Sequence, residues 1–199
     1  MATPATPAPS TPGISTPGPT GGAPSGPRPI ELPDGLARPL VAIGWLVGTW
    51  QGAGEVVYPS MDAPAPFGQE VVVSHDGRAF LRWDSRTWAL AEDGSLGAPL
   101  ATETGFWRVP SGEAGLDGTE VELLLAHPMG YVEQYLGQAH AGKIELSTEL
   151  VARSRDAKEY SAATRLYGYV AGDLLWAMDM VAVGHGMGSH ASARLKKVV

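Results

Sequence analysis

Chemistry in this chain has to come from a short inventory. There are no cysteines, which excludes disulfides, zinc–thiolate sites, iron–sulfur clusters and cysteine nucleophiles. The histidines are His75, His127, His140, His185 and His190. No pair has HExxH spacing, no acidic run has EF-hand order, and no GxSxG or phosphate loop is present. His75 precedes Asp76-Gly77 and reads as a turn residue. His140, in "GQAHAGK", reads as solvated, and His127, in "LLLAHPMG", as a hydrogen-bonded strand end. "GHGMG" is a glycine-rich loop with no helix after it, which makes a poor nucleotide site. Met178 and Met180 read as core residues. A single imidazole is nevertheless enough where a metal arrives inside a macrocycle, because haem iron needs one protein ligand on its proximal side. His190, at the start of the last strand-like run, therefore has two readings, an ordinary strand-end histidine or a haem ligand. By alternation it shares a face with Ser192 and Arg194 rather than an apolar row. That suits a mouth position better than a deep core.

The elements that would position these residues are mostly strands. "KIELSTELV" alternates Ile144, Leu146, Thr148 and Leu150 against Lys143, Glu145, Ser147 and Glu149, the pattern of a half-buried strand. "TEVELLLAH" sets Val121, Leu123 and Leu125 against Glu120 and Glu122. "DLLWAMDMVA" puts Leu174, Trp176, Met178 and Met180 on one face. Similar runs occur near 49–58, 68–75, 79–89, 100–109, 130–137, 159–170 and 190–198. Turn signals at 76–77, 92–95, 111–113, 141–143 and 171–173 separate many of them. Before them, "LARPLVAIGWLV" spaces Leu40, Ile43 and Val47 as one short helix, with Pro39 in its first turn. About ten strands with short connections and little helix predict an all-β, ten-stranded antiparallel up-and-down barrel, like the lipocalins and fatty-acid-binding proteins. Closure removes sheet edges, and a barrel this wide needs a guest, water or bulky inward residues.

One strand is unusual. In "GTWQGAG", Gly48, Trp50, Gly52 and Gly54 share one parity, so one face carries a single indole and otherwise nothing. Glycine weakens a strand, so the pattern needs a reason. Either the glycines allow a barrel wall to bend, with Trp50 plugging one end, or they let a flat ligand approach the backbone.

Composition bounds the rest. The 199 residues are 44% hydrophobic and 18% charged, with a formal charge of -7. No run approaches the length of a membrane span, and an acidic chain offers no footprint for nucleic acid or an anionic membrane. The lack of cysteine fits a cytoplasmic location. Residues 1–33 are rich in Pro, Ala, Gly, Ser and Thr without period. They read as a disordered, dispensable tail and not as a signal peptide, leaving 34–199 as the barrel domain.

Several blocks, in order, carry a resemblance. "LVGTWQGAGEVVYP" resembles the GxWxGxG opening of the nitrobindin family. The likeness continues through "ETGFWRV", "VELLLAHPMGYVE", "AKEYSAATRLYGYV", "DLLWAMDMVAVG" and "HASARLKK", over roughly residues 40–197. The resemblance implies a ten-stranded barrel holding one haem b per chain near its opening and isomerising peroxynitrite to nitrate at ferric iron. It implies nitric oxide as a further ligand. It places the axial iron ligand at His190. It makes Ser60, where the family more often has Thr, and Lys158 haem-pocket residues, and it puts Gly48, Trp50, Gly52 and Gly54 in the cofactor-binding signature. Two departures stand out. "VGHG" replaces the family's "VGQP", bringing His185 close to the axial position, and "SMDAPAPFGQE" is richer in Pro and Ala than the family pattern. No protein acid or base is obligatory for this reaction. The expected partners are peroxynitrite and nitric oxide, with no nucleic acid and no membrane, and a homodimer is left open. The rival is a haem-free barrel that carries a small apolar ligand; only the haem reading needs an imidazole at 190.

Overall fold

The computed structural model describes residues 30–112 and 118–198. A 3-10 helix, Arg38–Leu46, leads into ten strands: β1 (Gly48–Val56), β2 (Ala65–Ser74), β3 (Phe80–Leu90), β4 (Leu96–Arg108), β5 (Thr119–His127), β6 (Tyr131–His140), β7 (Lys143–Arg153), β8 (Tyr160–Val170), β9 (Asp173–Ala182) and β10 (Gly188–Lys197). Each strand pairs antiparallel with its neighbours in sequence, and β1 pairs with β10 to close the barrel. The expected fold class is thus the observed one. The tail expected over residues 1–33 falls mostly outside the described residues, as does part of the turn expected at 111–113. Within the described part, Leu32 and Leu36 already pack over Gly44, filling the space where a Cβ would stand.

The two ends of the barrel differ. At one end the 3-10 helix lies across the opening. Pro39 near its start presets the first turn, and i→i+3 bonds run from Leu40 N–H to the Ala37 carbonyl (2.9 Å) and from Val47 N–H to that of Gly44 (3.1 Å). Leu40, Ile43, Trp45 and Leu46 are buried beneath it, each contributing roughly 1.5–3 kcal/mol. Trp50 is fully buried, and its indole N–H donates to the Leu46 carbonyl at 2.7 Å, joining helix to wall. Below them Trp83, Trp107 and Tyr167 meet edge to face, with ring centroids 5.2–6.0 Å apart. The β8–β9 hairpin at this end turns on Ala171 and Gly172, both at positive φ (55° and 89°), the mirror-image turn that matches strand twist.

The other end has no helix over it. It is rimmed by the connections β1–β2, β3–β4, β5–β6, β7–β8 and β9–β10. Toward it the alternation is broken. On β7, Ile144 and Leu146 are buried as expected, but Leu150 is 55% exposed. The β6–β7 register shifts between Gln134 and Tyr135, so Thr148 opposes inward Tyr135 while Leu150 opposes outward Gln134. One extra residue in β7 reverses the phase after it, and Val151 turns inward instead.

Candidate functional site at the open end of the barrel

The inward residues of β10 are Ala191, Ala193 and Leu195. Strict alternation would point His190 outward with Ser192 and Arg194. It does not apply here, because Ser189 pairs with Asp179 and Ala191 with Met178, leaving His190 as the extra residue of a β-bulge. Bulges re-aim side chains. The His190 imidazole is half-buried and packs edge-on against Tyr58, with centroids 4.5 Å apart. It senses the charges of Arg165 and Glu103, both on the inward phase of their strands. A cleft of about 280 Å³ opens beside it between β1, β9 and β10, with Val56, Met178 and Ala191 among its walls.

The backbone fixes the state of the ring. His190 Nδ1 lies 3.2 Å from the Val57 carbonyl oxygen, and the His190 carbonyl accepts from the Val57 N–H at 2.7 Å. A carbonyl can only accept, so Nδ1 carries the hydrogen and Nε2 keeps its lone pair. Burial lowers the His190 pKa below the ordinary imidazole value, with the Arg165 charge adding to it, against the Val57 bond and Glu103. A neutral, oriented imidazole with a free Nε2 is the form that ligates a metal, and a hydrogen bond from its other nitrogen is the usual support. The residues present therefore fit a haem whose iron takes one histidine.

Below the mouth lies a band of polar side chains. Arg165 reaches both oxygens of Glu103, at 2.7 and 3.0 Å, and lies 3.6 Å from Glu133. Its Nε donates to the Tyr135 hydroxyl at 3.1 Å. Glu133 accepts from Tyr135 at 2.8 Å, from Tyr160, and from His127 Nε2 at 2.5 Å. Burial opposes ionisation of Glu133, yet the His127 bond and the Arg165 charge outweigh it and hold the carboxyl down at about 2. The Gln69 side chain accepts from the Trp176 indole at 2.7 Å and donates to Ser85 at 2.9 Å. This band was missed from sequence. The available signal was a charge in the inward phase of an otherwise apolar strand, as with Arg165 between Ala163 and Tyr167.

The other expected site residues are scattered. Ser60 and Lys158 are both exposed on rim connections. The Lys158 carbonyl accepts from the Tyr131 hydroxyl at 3.0 Å. His185 is also on the rim and exposed, in a turn where its N–H donates to the Ala182 carbonyl at 3.0 Å. Gly48, with φ of 142°, and Trp50 stand at the helix-capped end and are not brought to the mouth. Gly52 and Gly54 lie along the β1–β10 seam. A Cβ at Gly52 would overlap the Arg194 carbonyl oxygen, and one at Gly54 the Ser192 carbonyl oxygen. What fills the bare face there is the backbone of β10, joined at Gly54 by the Ala193 methyl and the Phe67 ring, so these two glycines answer to closure of the wall. Val57 and Tyr58, which hold His190, were not singled out from sequence.

The family described as "THAP4-like, heme-binding beta-barrel domain" matches residues 39–197. The chain belongs to this family. Its relatives carry two kinds of name. A ferric nitrobindin-like protein of Kineococcus radiotolerans is 49% identical over 167 residues, covering 80% of this chain and 93% of its own. A peroxynitrite isomerase of Clavibacter sepedonicus is 39% identical over 199 residues, covering 85% and 99%. The crystal structure of Rv2717c from M. tuberculosis superimposes with a TM-score of 0.71 at 34% identity, over 82% of this chain and 99% of that one.

Proposed function

We propose that this protein binds one haem b per chain through His190 Nε2 and isomerises peroxynitrite to nitrate, and that it also takes up nitric oxide. The observation that carries the reading is the bulge at His190, which presents an imidazole with Nδ1 committed to the Val57 carbonyl and Nε2 unengaged among the described residues. The names of the relatives point to the same substrate. When bound, ferric haem supplies an iron centre at which peroxynitrite can rearrange. The chain's own part is to hold and orient. Val57 fixes the tautomer, and Tyr58 packs one edge of the ring. Val56, Met178 and Ala191 belong to the apolar part of a cleft whose lining also includes Glu55, Asp179, Ser189 and Ser192. Ser60 and Lys158 on the rim are the hydroxyl and the cation we assign to the haem periphery. Buried Arg165, held between two carboxylates, keeps a charge beneath the mouth without offering itself as a proton donor, since a guanidinium stays protonated.

The test is stopped-flow mixing of the ferric protein with peroxynitrite, following its decay and the nitrate yield. Acceleration is expected in the wild type and in His185→Ala, and its loss in His190→Ala. Wild-type decay no faster than that in buffer would refute the activity.

A further inference from the structure

Across the mouth from His190 stands a second imidazole. In the closed ring β5 and β10 are diametrically opposed, five strands apart either way. His127 ends β5 and His190 lies at the start of β10, so both stand at the open end. His127 continues the inward phase of Val121, Leu123 and Leu125. Its side chain is only 9% exposed, and its ring meets Tyr131 edge to face at 6.3 Å.

The state of this ring follows from its partner. Glu133 is 1% exposed and ionised, so it can only accept; Nε2 of His127, 2.5 Å away, therefore carries a hydrogen whether the ring is neutral or cationic. Nδ1, which donates only in the cationic ring, has no hydrogen-bond partner among the described residues. A buried carboxylate that orients one imidazole nitrogen and leaves the other free for a ligand is the arrangement of a working acid–base group. The hydrogen-bonded strand end expected at His127 is observed in its bond to Glu133, and the open Nδ1 goes beyond that expectation. The Glu133 carboxylate is itself braced by Tyr135, Tyr160 and Arg165. The titratable and charged groups around His127 are its partner Glu133 and Tyr131 from β6 and Glu103 from β4, while Tyr135 from β6 and Arg165 and Tyr160 from β8 meet the same Glu133 carboxylate.

We propose that His127 Nδ1, oriented by Glu133, is the anchor for a small nitrogen oxyanion in the mouth, donating a hydrogen bond to it from the wall opposite His190. The proposal deepens the isomerase reading by adding a protein contact to substrate and product, and it rests on that reading for the identity of the anion. A charge-assisted bond of this kind is worth about ten-fold or more in affinity.

The test is a nitrite titration of the ferric holoprotein at one fixed pH, read by the shift of the Soret band. His127→Gln, which keeps a donor for Glu133 but loses the second ring nitrogen, should bind about ten-fold more weakly. Glu133→Gln should also weaken binding, through loss of orientation. A folded, haem-loaded His127→Gln protein with wild-type nitrite affinity overturns the proposal. A second readout needs no haem: 15N resonances of the histidines in the haem-free chain, titrated with nitrate. A shift at His127 supports the anchor, including where the Gln variant does not fold. A wild type that takes up no haem sinks the isomerase reading, and the nitrate titration then decides alone, with no shift at His127 overturning the anchor as well.

Discussion

The two ends of this barrel are built from the same ten strands but obey different rules. At the capped end, alternation holds, indoles and leucines interlock, and the 3-10 helix seals the core. Toward the open end the register slips at Ser189/Ala191, Thr87/Trp88, Gln134/Tyr135 and Tyr160/Ala162, and polar groups line the interior. Each slip gives up ladder regularity and re-aims a side chain. At Ser189/Ala191 the side chain gained is His190. Stability is therefore concentrated at one end and the proposed chemistry at the other, and the two should separate under mutation.

The largest effect is expected at the capped end. Trp50→Ala removes a fully buried indole and its bond to Leu46. Chemical denaturation should show a loss of about 3–5 kcal/mol, while the haem affinity of the protein that remains folded stays unchanged. A variant of wild-type stability with impaired haem uptake would reverse the division of labour.

The polar band ties the two ends together and should show in acid. The Glu133 pKa is depressed from 4.5 to about 2 in the folded protein. A depressed carboxylate stabilises the fold above its unfolded value, and that contribution is lost as pH falls from about 4.5 toward about 2. For a side chain this buried it amounts to about 3 kcal/mol. Stability curves should accordingly drop over that window in the wild type. Glu133→Gln should start lower at neutral pH and fall less across the same window. Parallel curves would show that Glu133 does not titrate in this way.

Smaller effects belong to the rim. Tyr58 is 42% exposed, so Tyr58→Ala should cost little in melting temperature. It removes the ring packed on His190, and haem should dissociate about ten-fold faster. His185→Ala should leave stability within about 0.5 kcal/mol and the haem spectrum unaltered, because the side chain is exposed.

Much of the fold was legible because period-two patterning and turn residues are local. "TEVELLLAH" forms β5 and "DLLWAMDMVA" forms β9 over the residues read from sequence, and the AGD signal at 171–173 marks a real hairpin. What alternation could not show was a bulge, since one inserted residue looks like any other until its partner strand is known. That is why Leu150 was expected inside and why the face of His190 could not be read from Ser192 and Arg194. The glycines of β1 were ambiguous for a related reason. A bare strand face looks the same whether it fronts a ligand or a neighbouring backbone, and only the distance to β10 decides. Arg165, Glu103 and Glu133 escaped notice because charges on strands are ordinarily solvated; their inward phase, not their type, was the clue. His190 was singled out by family resemblance, and the bulge and the Val57 carbonyl are what support the proposal that it holds the iron.

The central claim is that the bulge presents His190 Nε2 to iron. Resonance Raman spectroscopy of the ferrous holoprotein, with and without 15N-histidine, tests it most directly. An iron–histidine stretching band that moves on labelling is expected in the wild type and in His185→Ala, and should be absent in His190→Ala. The same band persisting in His190→Ala, or vanishing in His185→Ala, would contradict the account.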